Sequence, residues 1–162
     1  MPYTPIVATL GYVIDSRRNV LLVRRNRRLH DQALGKMNGL GGKLERGEDA
    51  GTCIRRELLE EAHIHVTSMQ LRGTVNWPGF GKHGEDWFGF IFVIDGFTGD
   101  IPPCNDEGDL IWVPLTDLLG DTLPLWPGDK HFLPLVFDTD TRVFHGVMPY
   151  EDGHALDWSY SR

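Results

Sequence analysis

Short β-rich apolar runs alternate with polar breaks along most of the chain, and helical spacing of apolar residues occurs in two stretches. Pro5 to Ile14 (PIVATLGYVI) and Asn19 to Arg25 (NVLLVRR) are two such runs. The DSRR between them has the length and turn content of a hairpin. A polar loop follows, carrying LGKMNGLGGK from Leu34 to Lys43, whose glycines permit positive φ or close backbone approach. From Glu48 or Asp49 onward the spacing predicts a helix, with acids suited to the positive end of its dipole. Beyond it HVTSMQLRGTVNW, DWFGFIFVIDGF and DLIWVPL read as strands and DKHFLPLVFD as a second helical stretch, while RVFHGVM and HALDWSY form a closing pair. Strands on both sides of a helix predict an α/β fold in which a mixed sheet is sandwiched between helices. No repeat, low-complexity tract or long linker divides the chain, so residues 1–162 read as one domain.

Composition narrows the function classes. A chain of 162 residues with 41% hydrophobic content is large enough to bury about two-thirds of its unfolded surface around one core. Its two cysteines, Cys53 and Cys104, give no disulfide framework, which fits a reducing, cytoplasmic setting. The start, MPYTPIVATLGYVIDSRR, lacks a basic region ahead of an apolar signal core, and no apolar run approaches the roughly 18 residues of a membrane span. A formal net charge of −7 argues against a nucleic-acid polymer as partner, which needs basic surface to replace counterions. It leaves a nucleotide open, provided divalent metal bridges two negative partners. His30, His83 and His131 are scattered without metal-ligand spacing and read as surface or structural residues.

The first helical stretch carries the chemistry. In GGKLERGEDAGTCIRRELLEEAHI, Gly41 to Ile64, Glu57, Glu60 and Glu61 fall within five residues. Glu57 and Glu61 are an i, i+4 like-charge pair that destabilises an isolated helix by roughly 0.2 to 0.5 kcal/mol, so a compensating interaction is expected. At 100° per residue the three glutamates cover an arc of about 100°, and Cys53 and Ile54 lie one turn earlier on it. The acids therefore extend a core-facing stripe, whereas a merely solvated face would stand opposite the apolar residues. Carboxylates converging at the edge of a core suit hard cations, and oxygen ligands with spare water positions suit Mg²⁺, with Mn²⁺ as a substitute.

Spacing around this helix sharpens the reading. From Gly42 there are five residues to Glu48, seven more to Arg56, then Glu57, Leu58, one residue, Glu60, Glu61, one residue, position 63 and Ile64. This pattern resembles the Nudix box of the Nudix hydrolases at every defining position except 63, where His63 stands for the usual glycine. The resemblance implies a Nudix α/β/α sandwich with a central mixed sheet. It implies that Glu57, Glu60 and Glu61 bind metal directly or through water, with the Gly41 carbonyl as a further oxygen ligand. Arg56 would orient a glutamate, and its i, i+4 spacing to Glu60 permits that contact independently. Lys43 would lie near phosphate oxygens, and Glu107, in CNDEGDLIW, would complete the metal site or activate water.

Further matches are NGLGGK (Asn38 to Lys43), WPGDKHFLPL (Trp126 to Leu135), FHG (Phe144 to Gly146) and LDWS (Leu156 to Ser159). Together they are similar to the oxidised purine nucleoside triphosphate hydrolases, the 8-oxo-dGTP diphosphatase branch. That likeness implies that Asn38 and Asp129 hydrogen-bond a purine, with Trp126 and Phe132 as aromatic partners. Trp77 and Trp87 are further candidates for the pocket wall. Gly128 departs from the branch, which has a second acid there, and a narrower range of purines is the expectation. The implied activity is metal-dependent hydrolysis of an oxidised purine nucleoside triphosphate to the monophosphate and pyrophosphate by a monomer or homodimer. A less selective triphosphatase, or a dinucleoside polyphosphate hydrolase, would use the same phosphate machinery. A non-catalytic nucleotide sensor on this fold would have lost metal ligands that this chain retains.

Overall fold

The computed structural model describes residues 1–162. Alternation of side chains across strands decides its layering. In β2 (Asn19–Arg25) Val20 and Leu22 face one way and Leu21 and Val23 the other, and all four are buried. Tyr12 and Val13 divide likewise in β1 (Ile6–Ile14), as do Ile91 and Phe92 in β5 (Trp87–Thr98). Period-two geometry thus gives the central strands an apolar surface on both faces, and each face needs cover.

One face packs on α1 (Ala50–Ala62) through Ile54, Leu58 and Ala62. The other packs on α2 (Leu115–Leu118) and α3 (Asp129–Val136) through Leu115, Leu118, Phe132, Leu133 and Val136. The sheet runs β10-β7-β4-β5-β1-β2-β3, with β6 (Gly108–Pro114) also paired to β2. Here β3 is Met37–Asn38, β4 His65–Trp77, β7 Phe144–Val147 and β10 Ser159–Ser161. The β1–β5 and β4–β7 pairs are parallel and the remaining ladders antiparallel, so the sheet is mixed, as expected from the sequence.

The first two strands, α1 and α3 lie where the patterns placed them. The closing HALDWSY does not form one strand. His154–Ala155 is β9, which pairs only with β8 (Tyr150–Glu151), and β10 joins β7 across the main sheet. Three elements were invisible to pattern: β3, two residues long inside the polar loop; α2, a single turn beginning at the last residue of DLIWVPL; and the two-residue β8.

Asp49 caps α1 by accepting from the Thr52 N–H at 2.8 Å, which satisfies one of the free donors of the first turn. At the other end His63 adopts φ 56° and ψ 31°, and the N–H groups of His63 and Ile64 return to the carbonyls of Leu59 and Leu58. This left-handed closure is what glycine ordinarily supplies. The 39–44 segment lies across β1: Thr9 N–H donates to the Gly42 carbonyl at 2.8 Å, and Gly11 and Leu40 exchange backbone bonds. That docking sets the glycine loop over the first turns of α1.

Candidate active site

A cavity of about 670 Å³ opens along this seam. Its floor is Ala8, Thr9 and Leu10 of β1, and one end carries Glu57, Glu61, Glu107, Lys43, Arg25 and Arg28. The other end carries Asn38, Trp77, Phe80, Trp87, Trp126 and Asp129. A carboxylate cluster and an aromatic cluster therefore line one continuous space, with Lys43 Nζ against the Trp87 ring between them.

At the charged end, geometry departs from the expected trio of glutamates. Glu57 and Glu61 turn into the cavity, while the Glu60 side chain is 59% exposed and pairs with Arg56 at 3.3 Å. Adjacent residues stand about 100° apart around a helix, and the buried stripe of Ile54, Leu58 and Ala62 carries Glu61 inward and Glu60 outward. Arg56 gathers the acids of this region. Its guanidinium donates to Glu57 at 2.9 Å, to Glu48 at 3.0 Å and to the Lys43 carbonyl at 3.2 Å. The Arg56 bond holds the Glu48 carboxyl down at about 2. The compensation demanded by crowded like charges is thus a single guanidinium placed among four carboxylates, including Glu45 at 3.8 Å.

Glu61 is different. Burial, followed by the charges of Glu107 and Glu57, pushes its carboxyl well above the usual carboxylate range, and its Oε2 is buried without a hydrogen-bond partner. No donor of the chain bonds the Gly41 carbonyl, whereas the carbonyls of Leu40 and Gly42 are both taken. No three acidic, histidine or cysteine side chains close into a preformed cage. An unpaired carboxylate oxygen, a free carbonyl and two further carboxylates fit Mg²⁺, which keeps several waters and takes few protein ligands alongside substrate phosphates. Gly42 makes this possible, because a Cβ there would overlap the Glu57 carboxylate.

Glu107 reaches the cavity from the loop before β6. Arg25 donates to it at 2.9 Å and also pairs with Asp31. Asn105 fixes that loop: its Oδ1 accepts the N–H of Glu107 at 2.9 Å and of Gly108 at 3.1 Å, and its Nδ2 donates to the Glu61 carbonyl at 3.2 Å. Neither Arg25 nor Asn105 was singled out from the sequence.

At the aromatic end, Phe80 is the hub, with ring centroids 4.9 Å from Trp126, 6.1 Å from Trp77 and 6.2 Å from Trp87. Phe80 had no signal beyond its place in a Gly-rich turn. Asp129 is the first residue of α3 and is 9% exposed. Burial raises its carboxyl to about 7, against the lowering effects of the Lys36 charge and the Trp126 backbone N–H. The N-cap of α3 is Gly128, so Asp129 does not serve as that cap.

Phe132 is a correction. It has no exposed surface and lies behind Trp77, centroids 6.1 Å apart, so it belongs to the core and does not line the cavity. Asp129, Phe132, Leu133 and Val136 share the buried face of α3, and of these only Asp129, in its first turn, lines the cavity. Gly128 is not held by backbone conformation, with φ −81°. It is held by space: a Cβ would collide with Met148 Sδ and the Tyr150 hydroxyl, which accepts the Gly128 N–H at 3.2 Å.

Fold and cavity together define a hydrolase of the α/β/α type with an acidic, metal-competent end and an aromatic end. The chain belongs to the Nudix family: the NUDIX domain model matches residues 4–136. It is 32% identical over 142 residues to the uncharacterized Nudix hydrolase YvcI of Bacillus subtilis, covering 85% of this chain and 83% of that protein. It is 31% identical over 157 residues to the oxidized purine nucleoside triphosphate hydrolase of Danio rerio, covering 95% and 92%. Among solved structures, the MutT protein of Bacillus halodurans superposes with a TM-score of 0.80 at 28% identity, over 96% of this chain and 97% of that one. The chain is accordingly a Nudix pyrophosphohydrolase, and Nudix hydrolases generally use divalent metal. No helix is long and apolar enough to cross a membrane.

Proposed function

We propose that the protein hydrolyses oxidised purine nucleoside triphosphates, 8-oxo-dGTP among them, to the nucleoside monophosphate and pyrophosphate. The observation that carries this reading is the cavity itself, with three carboxylates and Lys43 at one end and Asn38, Asp129, Trp77 and Trp126 at the other. The likeness to the Danio rerio oxidized purine nucleoside triphosphate hydrolase over most of both chains supports it.

Glu57, Glu61 and Glu107 would hold Mg²⁺ with the Gly41 carbonyl, and Glu60 would join through water from the rim. The ion supplies activation of the attacking water and neutralisation of charge developing on the phosphate oxygens. Arg56 fixes Glu57, and Asn105 ties the Glu107 loop to the end of α1, so both carboxylates are oriented before substrate arrives. Lys43, at the cavity wall, faces the phosphates. Water adds to phosphorus, the α–β phosphoanhydride bond breaks, and pyrophosphate leaves. Asn38 and Asp129 pair with the purine edge while Trp126 and Trp77 border its face. With its carboxyl near 7, Asp129 is available to a purine edge both as donor and as acceptor around neutrality.

The deciding measurement compares kcat/KM with Mg²⁺ across oxidised and canonical nucleoside triphosphates, diphosphates and dinucleoside polyphosphates, with products identified. The highest value for an oxidised purine triphosphate, with pyrophosphate released, is the expected result. Orthophosphate release, or equal rates on all triphosphates, would sink it. Equal rates are what a less selective triphosphatase predicts.

A further inference from the structure

Two side-chain polar atoms in the whole chain are buried without a hydrogen-bond partner, Glu61 Oε2 and Trp87 Nε1. Both residues line the same cavity. A buried donor with no partner carries a desolvation penalty that nothing repays, and such groups in native proteins call for a reason. Glu61 Oε2 has one in the metal end. Trp87 has none in the fold, because a phenylalanine or leucine at the start of β5 would fill that wall without the penalty.

The position of Trp87 says what the donor is for. Its ring carries Lys43 Nζ 5.4 Å from one centroid and packs edge-on against Phe80 at 6.2 Å. Trp87 therefore stands where the charged end gives way to the aromatic end. A nucleotide laid along the cavity, with phosphates by Lys43 and base by Phe80 and Trp126, places its sugar–phosphate link at this junction. An indole N–H can only donate, and that link offers it phosphate and sugar oxygens as acceptors.

We infer that Trp87 is a substrate-binding residue whose indole N–H donates to an oxygen of the sugar–phosphate link, a phosphate oxygen or a sugar hydroxyl. The assignment rests on the nucleotide reading above and adds to it the residue that fixes how far the substrate slides along the cavity.

The test is Trp87→Phe, which keeps an aromatic face for Lys43 and removes the N–H. The expected result is a fall in kcat/KM of about tenfold, equivalent to roughly 1.4 kcal/mol, carried mainly by KM. The unliganded Tm should be unchanged or higher, since an unmet donor has gone. The same factor is expected in a Lys43→Met background, because the N–H acts independently of the cation on the ring face. A loss confined to ribonucleotides and absent from 2′-deoxynucleotides assigns the acceptor to the 2′-hydroxyl, and an equal loss on both assigns it to the shared sugar or phosphate oxygens. Unchanged kcat/KM, or a loss that vanishes in the Lys43→Met background, overturns the inference. If Trp87→Phe does not fold, Trp87→Met is read in the same way. A wild-type protein inactive on every nucleotide overturns the functional reading instead, before any variant is made.

Discussion

Gly42 and Glu57 occupy one space: the volume that a side chain on Gly42 would need is filled by the Glu57 carboxylate. The glycine of the loop and the first acid of the helical cluster are thus mutually required. We predict that Gly42→Ala swings Glu57 out of the cavity, shifts the Mg²⁺ activation curve to higher concentration and lowers kcat by tenfold or more on the order expected for a misplaced catalytic group. The accompanying stability loss should stay within the roughly 1 to 3 kcal/mol of an overpacked site. A Mg²⁺ titration of activity beside a thermal melt checks it, and an unaltered activation curve would separate the two residues.

Removing charge at Glu61 should separate stability from catalysis. Its carboxyl is held protonated by burial and by Glu107 and Glu57, so the folded state retains a proton that the unfolded chain has released. Stability contributed at this site therefore falls as pH rises from the unfolded carboxylate value toward the folded one. Without divalent metal, Glu61→Gln should melt at or above the wild-type temperature at pH 7, yet lose most turnover when Mg²⁺ is added. Metal binding to the wild type should release a proton and tighten with pH, which calorimetry in two buffers of different ionisation enthalpy measures directly. Proton-independent binding would contradict the assignment. Glu57→Gln should likewise lose most turnover but little stability, since its partner Arg56 remains to bond the amide oxygen.

Asp129 gives a second pH signature. With its carboxyl raised to about 7 by burial, the folded chain is favoured when Asp129 is protonated, so stability drops between the unfolded value and about 7 and is flat above it. Asp129→Asn should therefore raise stability at pH 7.5 by roughly 2 to 4 kcal/mol and change little near pH 4. The same variant should lose selectivity for oxidised purines while hydrolysing a poor canonical triphosphate nearly as before. Urea melts at the two pH values and kcat/KM ratios provide the checks, and equal losses on all triphosphates would remove Asp129 from base recognition.

His63→Gly should leave kcat unchanged and raise stability by about 1 kcal/mol or less. The imidazole is exposed and its backbone already sits at φ 56°, a conformation in which glycine carries less strain. The site is a helix end and its side chain is absent from the cavity wall. A sharp fall in kcat on removal of the ring would give it a role in the site.

What the sequence disclosed, and what it hid, follows from how local each signal is. The start of α1 beside Asp49, the departure from glycine at His63 and the inward stripe through Cys53 and Ile54 are written within one helix and were legible. Pairing of β6 with β2 was not, because Leu21 meets Trp112 only through the tertiary fold. Arg25 was missed for the same reason: nothing near it in the chain announces that Glu107 will stand 2.9 Å away. Glu60 and Phe132 show a different limit. Both belong to motifs whose order in the chain matches relatives, yet packing turns Glu60 to solvent and Phe132 into the core. Gly128 shows a third, since its lack of an acid reads from the sequence as a choice of chemistry, whereas any side chain there would meet Met148 and Tyr150 rather than open space.

The parallel pairing of β1 with β5 has a consequence in time as well as in space. Ile6 meets Trp87 and Thr9 meets Phe90, so the floor and one wall of the cavity come from segments far apart in the chain. Such a junction closes only after a long stretch has been ordered, which slows its formation relative to local structure. Neither α1 with its glutamates nor the glycine loop can assemble a working site in advance of that closure. Recovery of hydrolysis during refolding should accordingly lag recovery of helical circular dichroism, and the enzyme's own activity becomes the clock for its slowest long-range contact.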